Sequence, residues 1–350
     1  MKKVLVIGGS GFIGRNIVTS LLNRGDCYVT SADIKSCSIF EDIKIDKNLS
    51  KRFEEIIADF SKKDSFDLLG DTNFDEVYLL AAIVGVNKTL INPNLVIHTN
   101  TLITMNTLDW IKSKPIKRLL FASSSENYAG TSDLFDIDIP TNERVPLCIS
   151  DINHPRWTYA ITKMHGESAF LHSAKSLDYD CTIVRYQNII GPDMGFGHAI
   201  PHIVERFCKR SHDIIKIYGH DQTRAFCYID DAVSGTIKAM ENPNGIGQIY
   251  HIGNDEEINM SKLTIFIGDI FKYKGIYENA PTYPGSVERR CPDITKAQSE
   301  LNYAPKFSWE ISVQKTVEWY KNFFDAGNVP PSGGFESPEE IKLRIDDKIN

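Results

Sequence analysis

With 350 residues, 42% of them hydrophobic and 24% charged, the chain has the composition of a folded globular protein, not of a disordered or fibrous one, and it exceeds the usual size of a single core. A formal net charge of -7 argues against a nucleic-acid surface, which needs clustered Lys and Arg, and seven scattered cysteines without C-x-x-C spacing argue against a zinc site or a disulfide frame. One large α/β domain with a smaller appended lobe, and therefore a cleft, is the expected plan.

The chain opens Met1-Lys2-Lys3 and enters the apolar run Val4–Ile7, the core of a predicted strand over 3–7 that is too short for a signal peptide or a membrane span. A cytoplasmic protein with no membrane partner is expected. Next comes Gly8-Gly9-Ser10-Gly11-Phe12-Ile13-Gly14, leading into an amphipathic helix over 12–24. Gly8 permits a tight turn, Gly11 lets backbone approach a pyrophosphate, and Gly14 allows close helix packing, while the helix N-terminus offers unpaired N–H groups. Gly8, Gly11, Phe12, Ile13 and Gly14 are therefore candidate dinucleotide-binding residues.

A second strand, 28–32, leads to Asp33, about 20 residues past the glycines, where a carboxylate accepts from ribose hydroxyls and repels a 2′-phosphate. NAD is the expected cofactor, although Lys35 two residues on could partner a 2′-phosphate instead. A third strand, 55–58, ends at Asp59-Phe60, which either meets the adenine or is structural. The fourth, 76–80, closes with Leu80-Ala81-Ala82, small enough to lie against a flat cofactor. A helix over 95–112 follows, then a fifth strand, 117–122, running into Phe121-Ala122-Ser123-Ser124-Ser125-Glu126-Asn127-Tyr128. A helix over 157–176 and a sixth strand over 181–185 complete a β-α-β series.

The expected fold is α/β, a Rossmann-type doubly wound parallel sheet with a smaller C-terminal substrate-binding lobe. The NAD-binding domain is expected over 1–185, with 226–252 returning to it. The lobe is expected over 186–225 and 253–324, and a surface tail over 325–350.

Tyr159 and Lys163 begin the helix over 157–176, and their i, i+4 spacing puts phenol and ammonium on one face. A phenol titrates near about 10, so serving as a base near neutrality needs roughly 4 kcal/mol of preferential stabilisation. Lys163 and a cationic nicotinamide are the expected sources of it. A serine at the end of the fifth strand, where a doubly wound sheet places its ligands, could hold the reacting oxygen.

Gly8/Gly11/Gly14, Asp33, the serine-rich strand end and Tyr159/Lys163, in this order, resemble the extended short-chain dehydrogenase/reductase family, the NAD-dependent epimerase/dehydratase group. The likeness runs on through Arg185-Tyr186-Gln187-Asn188-Ile189-Ile190-Gly191-Pro192, Gln222-Thr223-Arg224 with Tyr228-Ile229-Asp230-Asp231, and Arg289-Arg290-Cys291-Pro292-Asp293. It spans roughly residues 1 to 320. By this resemblance Ser124, Tyr159 and Lys163 are catalytic, with Glu126 as a second acid/base or a structural carboxylate. Ser125, Asn188, Arg224, Arg289 and Arg290 would hold a nucleotide-diphosphate sugar, with the Arg224 guanidinium at the diphosphate.

The first step implied is oxidation at sugar C4. Ser125-Glu126 stands where 4,6-dehydratases carry Asp-Glu, which demotes dehydration. The order Ser124-Ser125-Glu126 with Arg290 resembles UDP-glucuronate decarboxylases, while Ser-Ser-Glu also occurs in epimerases. The first reading is 4-epimerisation or a related 4-oxidation, and decarboxylation, a 4-dehydrogenase or dehydratase, and a non-catalytic NAD-binding regulator stay open. Arg290 could instead pair with Glu288, and Asn127 either bonds near Glu126 or lies solvated in a loop. Tyr283 replaces an arginine common before Pro-Gly, a contact Arg289 could supply. His198 and His202 lack a carboxylate motif, so no metal is expected. A homodimer through the helices over 95–112 and 157–176 is implied by resemblance.

Overall fold

A computed structural model of the chain describes residues 1–37, 47–209, 214–282 and 286–331. The tail from 332 onward and Tyr283-Pro284-Gly285 lie outside the described residues. Seven parallel strands form the central sheet, in the order β11-β6-β5-β4-β1-β2-β3. They are β1 (Lys2–Ile7), β2 (Cys27–Asp33), β3 (Phe53–Ile57), β4 (Glu76–Leu79), β5 (Arg118–Ser124), β6 (Asp180–Tyr186) and β11 (Gln248–Ile252). The six predicted strands are all present, with ends displaced by at most two residues, and β11 adds a seventh at the edge beside β6.

Continuous apolar runs such as Val4-Leu5-Val6-Ile7, wholly buried, suit strands covered on both faces. On one face lie α1 (Phe12–Arg24) and α7 (Ile229–Glu241), whose Ile17, Leu21, Ala232 and Met240 share a core with Val4, Val6 and Val29. On the other lie α3 (Pro93–Ser113) and α5 (Trp157–Leu177), and Ile103, Trp110 and Phe170 pack there with Leu5, Ile7 and Leu119. Between α1 and α3 the short α2 (Val86–Ile91) precedes α3, and α4 (Ala129–Leu134) follows β5. Gly166 lets α5 sit close on the sheet, because a Cβ there would lie 2.3 Å from Cζ of Phe121.

A further core gathers elements from beyond residue 186. It holds Ile203 and Phe207 of α6 (Ala199–Lys209), Leu263 and Ile267 of α8 (Met260–Ile270), and Val313, Val317 and Tyr320 of α10 (Trp309–Asp325). Beside it the strands β9 (Thr223–Ala225), β12 (Glu257–Asn259) and β14 (Arg289–Arg290) make a small sheet in the order β12-β9-β14. Among the described residues no helix is long and apolar enough to cross a membrane.

Two buried imidazoles make stability pH-dependent. Burial lowers His251, whose Nδ1 faces the Asp293 carbonyl at 3.0 Å, to about 3, and lowers His202 to about 4. Unfolded, both take up protons near about 6.5, so below that the unfolded chain binds more protons and stability falls with pH until about 3 to 4. The melting temperature is therefore expected to drop between pH 6.5 and 4, less steeply in His251→Gln than in wild type, as followed by thermal melts across that range. Identical slopes would remove His251 from this account.

Candidate active site

In the doubly wound sheet the strand order reverses between β1 and β4, and the two chains leaving that point meet at close quarters. Leu80 and Ala81 donate from their backbone N–H groups to the Ile7 carbonyl at 2.8 and 2.9 Å. Gly8, at φ +93°, lies so near that a Cβ on it would be 2.5 Å from the Ala81 nitrogen. At Gly14 a Cβ would meet the Gly8 oxygen at 2.0 Å, whereas at Gly11 it would meet only that oxygen, at 3.3 Å. Gly8 and Gly14 close the turn, and Gly11 leaves the approach to α1 open. Gly11 is the N-cap of α1 with no side-chain cap, so first-turn N–H groups remain for an anion.

Asp33 closes β2 beside this turn, accepting from the Ser10 N–H at 3.0 Å and the Lys35 N–H at 3.4 Å. A carboxylate so placed beside an uncapped helix N-terminus and a glycine cradle fits a dinucleotide with free ribose hydroxyls. Phe12 and Ile13, both partly buried, pack their side chains against the core beside this turn. The Phe60 side chain lies in the core. Its ring is 4% exposed and packs edge-on against Phe66 at 5.0 Å, because the apolar ring is drawn under α3 and away from the cleft. Asp59 accepts from the N–H and hydroxyl of Ser61, closing a turn. Leu80, Ala81 and Ala82 are partly exposed along the cleft.

The serine-rich segment at the end of β5 meets the first turns of α5. The Ser124 hydroxyl lies beside the Tyr159 phenol and favours its ionised form. Lys163 is 4% exposed, with Nζ donating to the Ala122 carbonyl at 2.7 Å and lying 5.7 Å from the centre of the Tyr159 ring. Burial pushes Lys163 down to about 8, against the pull of Glu167. Burial also pushes the Tyr159 phenol up, and the Glu126 charge adds to this, while the Ser124 hydroxyl opposes it. The Lys163 ammonium is directed at a backbone carbonyl, and burial outweighs what favours the phenolate, so the protein's own groups keep the phenol neutral.

Glu126 sits between two guanidiniums, Arg290 at 2.6 Å and Arg156 at 3.2 Å. Burial alone would raise Glu126, but Arg290 and Arg156 outweigh it and hold the carboxyl at about 2. Arg290 thus pairs with Glu126 and not with Glu288, and its Nη1 also reaches the Ser125 hydroxyl at 3.5 Å. Arg224 bonds neutral acceptors, the Thr223 carbonyl at 2.7 Å and the Ser286 hydroxyl at 3.1 Å, and burial beside Arg290 and Arg156 lowers it to about 10. Arg289 is turned to the surface, 53% exposed and gripped by Glu257 at 2.7 Å. Asn188, at φ +39°, donates to the Ala225 carbonyl at 3.0 Å and ties β9 to the cleft floor.

Arg156 was not among the predicted site residues, although its place three residues before Tyr159, one helical turn away, was a usable signal. Asn127 is fully buried, not solvated, and donates to Glu167 at 2.8 Å. Among the described residues no group of three or more His, Cys, Asp or Glu could hold a metal ion.

The pattern of the NAD dependent epimerase/dehydratase family matches residues 4–253. The chain is 32% identical over 339 residues, 91% of this chain and 98% of the relative, to a UDP-N-acetyl-alpha-D-glucosaminuronate decarboxylase of Bacillus cytotoxicus. It is 29% identical over 327 residues, 91% and 95% of the two chains, to a UDP-glucuronate 4-epimerase of Thermodesulfobacterium geofontis. Among solved structures, the UDP-glucuronic acid 4-epimerase of Bacillus cereus in complex with UDP-glucuronic acid and NAD superposes with TM-score 0.78 at 25% identity, over 92% of this chain and 99% of that one. A glycine cradle at the sheet's switch point, a serine–tyrosine–lysine cluster on its carboxyl edge and a matching pattern over residues 4–253 converge on one conclusion, that this chain belongs to the NAD dependent epimerase/dehydratase family of enzymes.

Proposed function

We propose that the enzyme oxidises C4 of the sugar in a nucleotide-diphosphate sugar and restores the alcohol with opposite configuration, a 4-epimerisation. The observation that carries this reading is the Ser124–Tyr159–Lys163 cluster on the carboxyl edge of the sheet, with β4 alone between its strand and the one that leads into the glycine cradle. When bound, NAD supplies a hydride acceptor and a positive charge. Gly8, Gly11, Gly14 and Asp33 would hold it, with Leu80, Ala81 and Ala82 against its flat surface. The Ser124 hydroxyl holds the reacting oxygen, and Tyr159 takes the proton of the 4-hydroxyl as hydride leaves C4. Lys163 stabilises the phenolate, and the proton returns from Tyr159 when hydride is delivered to the other face of the ketone. The lobe built from 186–225 and 253–324 holds the sugar nucleotide, with Arg224 at the diphosphate and Asn188 and Ser125 beside the sugar.

One arrangement favours a second outcome. Arg156 and Arg290 hold Glu126 between them with Arg224 close by, and since the other carboxylate acting on Arg224, Glu257, is taken by Arg289, positive charge is left in surplus where the sugar would sit. A uronic acid would match it, with its carboxylate taken by Arg156 or Arg290. Oxidation at C4 would make such a sugar a β-keto acid, able to lose carbon dioxide and leave a ketone, and returning that ketone to an alcohol would need the hydride a bound cofactor supplies. Two of the relatives named above act on uronic acid sugars.

Mass and NMR analysis of products from UDP-, GDP-, CDP- and dTDP-linked neutral and acidic sugars tests both. A C4 epimer of unchanged mass supports epimerisation, and loss of carbon dioxide supports decarboxylation. NAD binding without turnover of any of these sugars would favour a regulator. Work on nucleotide sugars belongs to carbohydrate biosynthesis in the cytoplasm, where we place the protein. Pairing through α3 and α5, where Leu95 and Met105 are exposed, would give a homodimer. Light scattering at micromolar concentration is expected to return a dimer mass, and a clean monomer would contradict this.

A further inference from the structure

Tyr159, Lys163 and Glu167 follow one another at i, i+4 and i+8 along the face of α5 that meets the sheet. Each engages one of three consecutive residues at the end of β5. Tyr159 lies beside the Ser124 hydroxyl, Lys163 donates to the Ala122 carbonyl at 2.7 Å, and Glu167 accepts from the Ser123 hydroxyl. Two of these contacts belong to the chemistry proposed above. The third does not, and it is the most heavily anchored.

Glu167 is 5% exposed. Its Oε1 also accepts from Arg185 Nε and Asn127 Nδ2, both at 2.8 Å, and its Oε2 from Arg185 Nη2 at 2.6 Å. Arg185 comes from β6, is 3% exposed, and further donates to the Tyr128 hydroxyl and to the Glu143 carbonyl at 3.1 Å. A carboxylate this deeply buried needs a full set of donors, and here they come from β5, β6 and the turn that follows Ser124. Three elements therefore converge on one side chain a single turn behind the lysine.

We infer that Glu167, clamped by Arg185, is a positioning residue that keeps Lys163 charged and holds the Ser123–Ser124 strand end in register with Tyr159. The inference rests on the 4-oxidation reading for its catalytic meaning, but not for its electrostatics. Around Lys163 the groups are Tyr159 and Glu167 on its own helix, the Ala122 carbonyl and the Phe121 ring on β5, and Arg185 on β6, which acts through Glu167. Glu126, on the turn after β5, acts on Tyr159. Of these, Glu167 is the group that favours the ammonium against burial.

The test uses the full-length holoenzyme and its Glu167→Gln variant, which keeps an oxygen acceptor for Ser123 and removes the charge. The Lys163 side chain is titrated by NMR of ε-carbon-labelled lysine, its signal assigned with Lys163→Arg, and kcat and KM are followed against pH. Glu167→Gln is expected to move the Lys163 midpoint down by roughly one pH unit and the alkaline limb of kcat with it. Turnover near pH 8 should fall about fivefold with KM within about twofold, and Glu167→Asp should restore the midpoint. Should the single variant misfold with Arg185 left unpaired, Glu167→Gln/Arg185→Met removes both charges and is expected to show a smaller shift in the same direction. A midpoint and alkaline limb that stay in place while only the melting temperature drops would overturn the inference. A midpoint that shifts in a protein turning over no nucleotide sugar would instead sink the 4-oxidation reading and leave the inference standing.

Discussion

Tyr159→Phe is expected to lower turnover by about 10²- to 10⁴-fold while NAD binds as it does to wild type. The change removes one oxygen and leaves the ring, the helix and the glycine cradle in place. The loss is large because no other group near Ser124 can replace the phenol. Glu126, the nearest carboxyl, is held ionised at about 2 by Arg290 and Arg156, too weak a base for an alcohol. Lys163 at about 8 is spent on the Ala122 carbonyl. Steady-state kinetics with a NAD titration separate the two effects, and undiminished turnover in the variant would remove Tyr159 from the proton transfer.

The second large effect concerns the cradle. Gly8→Ala is expected to weaken NAD binding by at least about 100-fold and to lower the melting temperature by several degrees. The residue lies at φ +93°, where a side chain costs about 1–3 kcal/mol. Its Cβ would also stand 2.5 Å from the Ala81 nitrogen and 2.8 Å from the Ala81 Cα, so backbone on two strands must shift. Gly11→Ala is the informative contrast. Gly11 has φ -71° and its Cβ would meet only the Gly8 oxygen at 3.3 Å, so the fold should hold while the close approach of a pyrophosphate is lost. Calorimetric titration with NAD and thermal melts of both variants check the pair. Equal NAD affinity in Gly8→Ala and wild type would contradict the cradle.

The elements were legible where one period dominated. The apolar runs at Val4–Ile7 and Leu119–Ala122 could only be strands covered on both faces, and the i, i+4 pair of Tyr159 and Lys163 marked the catalytic helix. Strand β11 was harder to see because Gln248-Ile249-Tyr250-His251-Ile252 mixes polar and apolar residues, and its burial comes from pairing with β6, which no local pattern encodes. Phe60 was left with two readings for a related reason. Its position at a strand end pointed to the cleft, while its ring follows Phe66 into the core. The electrostatics were the least legible. Sequence puts Lys163 near Tyr159, but the direction of an ammonium depends on which carbonyl it reaches, and the bracketing of Glu126 joins residues 156 and 290 through the fold alone.

Hydride transfer from C4 is the step on which the rest depends. Single-turnover mixing of the NAD-loaded enzyme with its nucleotide sugar deuterated at C4 reads it directly. The account predicts transient NADH absorbance that rises several-fold more slowly than with the protiated sugar, with deuterium on the nicotinamide of the quenched cofactor. Product formed with no NADH transient, no isotope effect and no deuterium on the cofactor would contradict it.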